Sequence, residues 1–384
     1  MRCTTAGESH GRALIAVVTD VPAGVPLLCS TIDADLARRQ AGYGRGGRMR
    51  IETDHALIVS GVRFGLTIGS PVGLTVANRD WDNWTDAMSP AGDKPEGIRV
   101  TAPRPGHADL AGALKTGTDD VRDILERASA RETAARVAGG SVARSLLASL
   151  GVTVGSFVTR IGPASWDGAP DDPAGLDATR VEASDVRCPD EAASAAMRVA
   201  IDAARDAGDS LGGTFVVYAS DLVPGLGGYA QAGSRLDGAL AGSVMSVPAI
   251  KGVSFGLGFG CAELPGSRVH DEIVWDATGG YGRRTNRAGG LEGGMTSGAT
   301  LVVNAVMKPI PTLTSPLATV DMDTKLPIEA CRERSDVCAV PAAAVVAEAE
   351  VALALATAYQ SKFGGDDVAD MLDALAAYRE RIMR

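Results

Sequence analysis

Aromatic residues make up only 4% of the 384-residue chain, and histidine occurs four times. With so few large rings, the core must be filled by small aliphatic side chains at close backbone separations, and 47 glycines leave room for that. Positive charge is not in excess: 37 Lys and Arg stand against 47 Asp and Glu, a net charge of −10. That balance argues against nucleic acid or an anionic membrane as a general partner. The six cysteines form no CxxC pair, so a disulfide frame or cysteine zinc site is not expected, and reduced thiols are. The first residues, Met1 to Gly7, lack the apolar core of a signal peptide, and the expected location is the cytoplasm. The most apolar stretch, Ala342 to Tyr359, is broken by Glu348 and Glu350 and follows Pro341, which predicts a buried helix and not a membrane span. No Gly-x4-Gly-Lys-Ser/Thr occurs, Gly42-x-Gly44-x-Gly46 is not a dinucleotide fingerprint, and HxH and HExxH spacings are missing. A P-loop enzyme and a metal hydrolase are therefore disfavoured, and no metal is expected.

What is present reads as one domain of mixed sheet and helix over residues 1–384, α+β in class. An apolar run at 12–20 predicts a strand, 33–40 a helix stopping at Gly42, and alternation at 51–59 and 72–76 predicts antiparallel strands. Residues 79–103 form a long excursion. Ser129 with Glu132 three positions later has the form of a capping box and predicts a helix from Ser129 to near Gly151. Its two interior glycines, Gly139 and Gly140, cost about 1 kcal/mol each relative to Ala, which implies that something packs on the backbone there. Residues 161–190 are rich in Pro, Asp and Gly and read as a surface insertion or a subdomain seam; a helix reaching Gly208, a strand at 214–219 and helices at 342–363 and 367–383 follow. Gly61-Val62-Arg63-Phe64-Gly65-Leu66 echoes Gly252-Val253-Ser254-Phe255-Gly256-Leu257, too short a match to establish an internal duplication.

Two of the histidines, His10 and His107, stand on glycine-containing polar loops beside carboxylates, where an imidazole serves either as acid or base or as a loop-organising hydrogen bonder. His55 and His270 sit in contexts that favour structural roles. Arginines gather in the glycine-rich segments: Arg39, Arg45 and Arg48; Arg104, Arg127 and Arg131; Arg283, Arg284 and Arg287; Arg332 and Arg334, with Lys308. Glycine lets the backbone approach a ligand and arginine grips phosphate or carboxylate with two prongs, so the combination predicts a multiply charged anion. The predicted helix start at Ser129, flanked by Arg127 and Arg131, adds a possible anion site.

Six ordered blocks, Gly7-Glu8-Ser9-His10-Gly11, Gly42-Tyr43-Gly44-Arg45-Gly46, Arg104-Pro105-Gly106-His107-Ala108-Asp109, Arg127 to Thr133, Asn286 to Gly294, and Arg334-Ser335-Asp336-Val337-Cys338, together resemble chorismate synthase. The resemblance implies a sandwich of antiparallel sheets flanking a helical layer, assembled as a homotetramer. It implies a lyase that removes phosphate from 5-enolpyruvylshikimate 3-phosphate by anti-1,4-elimination, giving chorismate in the shikimate pathway to aromatic amino acids, with reduced FMN and no net redox change. By position, His10 would serve the departing phosphate, His107 the flavin N1 edge and Asp336 the flavin N5. Flavin contacts would come from Arg127, Ala128, Ser129, Pro248, Ala249, Gly293, Lys308, Pro309, Ile310, Pro311, Thr312 and Arg334. Arg39 and Arg45 match positions attributed to NADP, with substrate as the other option; an external flavin reductase is the favoured reductant over NADPH used directly. Arg48, Arg104 and Arg131 are assigned to the substrate's anionic groups from charge alone. Ser335 where many members have His, Pro248 where Asn or Gln is common, and the extra Arg284 depart from the family pattern. A non-catalytic module binding a phosphorylated metabolite with the same arginines is the alternative.

Overall fold

The computed structural model describes residues 1–47, 52–277, 279–333 and 335–383. Four strands, Arg2–Ala6 (β1), Ala13–Thr19 (β2), Ala56–Ser60 (β3) and Val72–Ala77 (β4), form an antiparallel sheet in the order β1-β2-β4-β3. Four more, Thr153–Ile161 (β5), Gly213–Ser220 (β6), Ile250–Phe255 (β7) and Leu301–Met307 (β8), pair antiparallel as β7-β8-β6-β5, with Ala164–Ser165 on the β5 edge. The helices are Cys29–Gln40 (α1), Asp109–Thr116 (α2), Thr133–Ser149 (α3), Glu191–Asp206 (α4), Leu236–Met245 (α5), Val340–Phe363 (α6) and Val368–Ile382 (α7), besides shorter turns. Helices α1 and α3 pack on the first sheet, α5 and α6 on the second, and α3 lies against α6. The result is the expected α+β sandwich, with sheets outside and helices between.

Period-two patterning decides which strand face turns inward. Leu14, Ala16 and Val18 of β2 and Val72, Leu74 and Val76 of β4 are buried against the helices, whereas Ile15, Val17, Leu57 and Val59 face outward and stay exposed. In the second sheet the outward residues Phe157, Val216, Tyr218 and Val302 are instead buried, under Trp166, Ala169, Leu176 and Val181. Residues 161–190 thus cover one outer face, and the corresponding face of the first sheet is open.

Numbered within its own half, each sheet has the strand order first, second, fourth, third, with a helix between the second and third strands and a long helix after the fourth. Hydrogen bonds repeat too. Thr67 donates through Oγ1 to Pro22 O (2.5 Å) and its hydroxyl accepts from Val25 N (2.9 Å), while Thr296 donates to Val223 O (2.7 Å) and accepts from Leu226 N (2.9 Å). The spacing that marks this repeat is Gly61-x3-Gly65-x-Thr67-x-Gly69 against Gly290-x3-Gly294-x-Thr296-x-Gly298. The echo at Gly252 is in a different place: residues 252–255 lie inside β7, whereas 62–67 form a hairpin. Composition alone picked the wrong partner because glycine, valine and phenylalanine recur in both contexts.

The interior glycines of α3 do accommodate close approach. A Cβ on Gly140 would stand 2.3 Å from Ala349 Cβ and 2.7 Å from Ala349 Cα, and one on Gly139 would stand 2.4 Å from Cys3 Sγ. Gly140→Ala should therefore lose stability despite its better helix propensity, the ~1–3 kcal/mol of overpacking outweighing a gain of about 1. Urea unfolding reads this directly, and equal or greater stability would mean that α3 and α6 separate at no cost.

Helix α6 is long and apolar enough to cross a membrane, yet it lies inside the sandwich with Glu348 fully buried at its centre. Two helix starts differ from expectation. Helix α1 begins at Cys29 and not Asp33, since Ile32 as well as Leu36 turns into the core. Ser129 accepts from the Arg131 N–H (3.3 Å) and caps only the short turn Ala130–Glu132, and α3 starts at Thr133. The capping box does not form because the Glu132 carboxylate is taken by Arg136 and Thr5.

Candidate active site

A cavity of about 560 Å³ opens where the segments preceding α3 and α6 meet the ends of the second sheet. That volume is in the range of small-molecule sites, about 300–1,000 Å³. The β1–β2 loop contributes Ser9 and His10, the turn before α2 contributes Arg104, Gly106 and His107, and Arg127 to Glu132 form one wall. Pro248 and Ala249 enter just before β7, Lys308, Ile310, Pro311 and Thr312 just after β8, and Ser335, Asp336 and Ala339 just before α6. Ala249 holds a φ of 69°, unusual for a residue with a side chain, and its carbonyl accepts the Lys308 N–H (2.9 Å).

His10 is almost fully buried. Its loop is pinned by Asn78, whose side-chain amide donates to Glu8 O (3.1 Å) and Gly11 O (2.6 Å). The ring's Nδ1 meets Glu126 Oε1 at 2.9 Å, and the neighbouring Ser9 hydroxyl meets that of Ser129 at 3.1 Å. The second imidazole is arranged in the same way: His107 Nδ1 lies 2.5 Å from Asp109 Oδ1. Asp109, at the start of α2 and fully buried, also accepts from Arg104 Nε (2.8 Å), Arg104 Nη2 (3.1 Å) and the Arg104 main-chain N–H (3.0 Å). Burial pushes the Asp109 carboxyl up, but the hydrogen bonds from His107 and Arg104 outweigh it and hold the group well below the usual carboxylate range.

Most of the arginines assigned to ligands are occupied by buried acids. Arg131 donates to Asp54 (2.5 Å) and Asn78 (2.9 Å) with Glu52 at 3.6 Å, and Arg39 donates to Asp54 (3.3 Å), Thr133 (2.9 Å) and Ala130 O (3.0 Å). Arg104, besides Asp109, donates to Thr312 Oγ1 (2.9 Å), and so joins the His107 turn to the segment after β8. Arg45 pairs with Asp336 (2.9 Å), whose other oxygen accepts the Gly46 N–H (2.6 Å). All four line the cavity, but each has a matching carboxylate. Arg104 and Arg131 thus also organise the walls of the cavity they line.

Arg127 and Lys308 are different. Arg127 donates to the carbonyls of Thr5 (2.9 Å) and Gly7 (3.0 Å), and its nearest carboxylate among the described residues, Glu132, is 3.7 Å away and engaged by Arg136. The Lys308 ammonium donates to Gly106 O. These two cations are bonded mainly to main-chain carbonyls, with Glu132 as Arg127's more distant ion-pair partner, and an anion entering the cavity would be drawn to them.

Some assigned residues lie elsewhere. Gly293 stands at the turn of the Leu291–Thr296 hairpin and does not line the cavity, nor does Pro309. The Asn286–Gly294 block serves the internal repeat, with the Asn286 amide donating to Thr300 O (2.8 Å). Arg284 pairs with Glu272 on the surface. Arg48 and Arg334 lie outside the described residues. Among the described residues no group of three or more His, Cys, Asp or Glu could hold a metal, and all six cysteines are unpaired. Glu126 and Trp84, which both contact His10, were missed from the sequence; Glu126 adjoins the Arg127 block, but a carboxylate 116 positions from its imidazole leaves no local signal.

Comparison with known proteins accounts for the convergence of these segments. A family model described as chorismate synthase matches residues 1–360. Chorismate synthases of Symbiobacterium thermophilum and Desulforudis audaxviator are each 55% identical over all of this chain and cover 100% and 98% of their own lengths, and that of Geobacter sulfurreducens is 53% identical. A crystal structure of a chorismate synthase superposes with a TM-score of 0.81 at 39% identity, over 100% of this chain and 98% of the other. The chain belongs to the chorismate synthase family.

Proposed function

We propose that this chain releases phosphate from 5-enolpyruvylshikimate 3-phosphate to form chorismate, using reduced FMN. One observation carries the reading: segments scattered from Ser9 to Ala339 line a single cavity in which two imidazoles each rest on a buried carboxylate beside Arg127 and Lys308. The residues fit a flavin, since Arg127–Ser129, Pro248–Ala249, Lys308 and Ile310–Thr312 line one chamber. When bound, the reduced cofactor supplies the electron density that lets the carbon–oxygen bond break without net redox change. Arg127 and Lys308 attract the substrate's anionic groups. His10 would offer a proton to an oxygen of the departing phosphate, His107 would serve the flavin edge, and Asp336, fixed by Arg45 and Gly46, would assist the flavin in taking the ring hydrogen that leaves.

Each guanidinium nitrogen of Arg39 donates to the protein, which suits it poorly to NADP and favours an external reductase as the source of reduced flavin. The open outer face of the first sheet, with Ile15, Val17, Leu57 and Val59, provides an apolar surface for the homotetramer. The chain is read as one catalytic domain with residues 161–190 as its insertion, acting in the cytoplasm, where unpaired thiols are stable. No observation favours the non-catalytic alternative. Anaerobic incubation of the protein with substrate and chemically reduced FMN should give chorismate and phosphate in equal amounts. Absence of both would overturn the reading.

A further inference from the structure

The ring of His10 is held far more tightly than its loop requires. The loop backbone is already secured by Asn78 and by the Ser9 N–H donating to Glu126 O (2.9 Å). In addition, Glu126 accepts the His10 main-chain N–H (2.8 Å) with one oxygen and faces Nδ1 (2.9 Å) with the other, while the Trp84 ring lies flat on the imidazole, centroids 3.9 Å apart and planes at 24°. Arg122 ties the two holders together: its guanidinium sits 5.1 Å from the centre of the Trp84 ring and donates to Glu126 Oε1 (3.1 Å). Behind Trp84, Asp80 accepts from the indole N–H (3.3 Å) and from Asn83 (2.8 Å). Two segments some forty positions apart therefore converge on one imidazole.

We propose that Glu126 and Trp84 are positioning residues for His10: the carboxylate keeps a proton on Nδ1, the indole fixes the ring plane, and Nε2 becomes the nitrogen that acts in the cavity. The proposal rests on His10 serving the departing phosphate. Glu126 is nearly fully buried, and burial pushes its carboxyl up, but hydrogen bonds from His10 and Arg122 outweigh this and keep it below the usual carboxylate range. An ionised carboxylate only accepts hydrogen bonds, so its partner nitrogen must carry the hydrogen. With Nδ1–H engaged by Glu126, the proton that the protonated ring gives to the phosphate is the one on Nε2, and a ring held in one plane loses no orientational freedom when the reaction needs it.

The test is a double-mutant cycle on the assembled enzyme with reduced flavin, measuring kcat and KM for His10→Ala, Glu126→Gln, Trp84→Leu and the doubles. Glu126→Gln keeps the shape and removes the charge. It should lower kcat by ~10-fold or more, a fraction of what the acid itself supplies, with KM changed less than about 2-fold. In the His10→Ala background the same substitution should add less than about a further 2-fold, since a residue acting through another has nothing left to act on. Trp84 is only part-buried, so Trp84→Leu should leave melting unchanged and carry the test if Glu126→Gln folds poorly. Wild-type kcat in both single variants, or losses that multiply in the doubles, overturns the proposal. A wild-type protein that makes no chorismate instead removes the functional reading beneath it.

Discussion

Glu348→Ala is expected to lose about 3–5 kcal/mol of stability, the cost of leaving buried charges without their partner. The Glu348 side chain is fully buried in the middle of α6. It takes both prongs of Arg38 from α1 (2.8 Å each), Arg144 from α3 (3.0 Å), the Ser156 hydroxyl from β5 (2.6 Å) and, more distantly, Arg187 (3.4 Å). Removing the carboxylate takes the one fully buried acid from three guanidiniums, leaving Arg38 and Arg144 to Asp35 and Arg187 to Glu182, and Arg187 already has one buried nitrogen without a partner. Burial pushes Glu348 up, but Arg38 and Arg144 outweigh it and hold its carboxyl below the usual range. Its folded value is thus depressed, so the stability it lends is complete above the unfolded carboxylate pKa near 4.3 and is lost as pH falls through the folded one. Denaturant midpoints should drop in Glu348→Ala at pH 7 and converge with wild type in acid. A variant within 1 kcal/mol of wild type at pH 7 would mean that the cluster contributes no net stability.

The same residue shows what the sequence made legible. Glu348 inside an apolar stretch was enough to predict a buried helix in place of a membrane span, because a lone carboxylate in hydrocarbon is too costly. Its partners were not legible: Arg38, Arg144 and Arg187 lie 310, 204 and 161 positions away. The carboxylate partners of the candidate site's arginines were hidden for the same reason. Glycine-rich, arginine-rich segments correctly located the cavity wall, yet Asp54 and Asp109 could not be matched to Arg131, Arg39 and Arg104 as partners until the chain was folded. The apolar run at 12–20 pointed to the strand at 13–19, and alternation to the one at 72–77. It could not say that one sheet's outer face is covered and the other open, which depends on where residues 161–190 settle. Ser129 was misread because its capping partner, Glu132, has stronger competing partners in Arg136 and Thr5.

His107→Ala should lower kcat at least ~100-fold, the scale of lost general acid or base help, and leave the fold intact. The expectation follows from how Asp109 is shared. With the imidazole gone, Asp109 keeps three hydrogen bonds from Arg104, so no buried charge is orphaned and the turn stays closed. Asp109→Ala should behave differently, since it frees His107 and also leaves Arg104 without its carboxylate beside Thr312. Activity and stability should then fall together, the latter by a few kcal/mol. Asp336→Ala should match the ~100-fold loss of His107→Ala, but it also releases Arg45 into the cavity and so should change KM for the anionic substrate as well. Steady-state kinetics with reduced FMN, beside thermal melting of each variant, separate the three. Near-wild-type turnover in both His107→Ala and Asp336→Ala would show that the roles carried by resemblance do not belong to these residues, whatever the cavity binds.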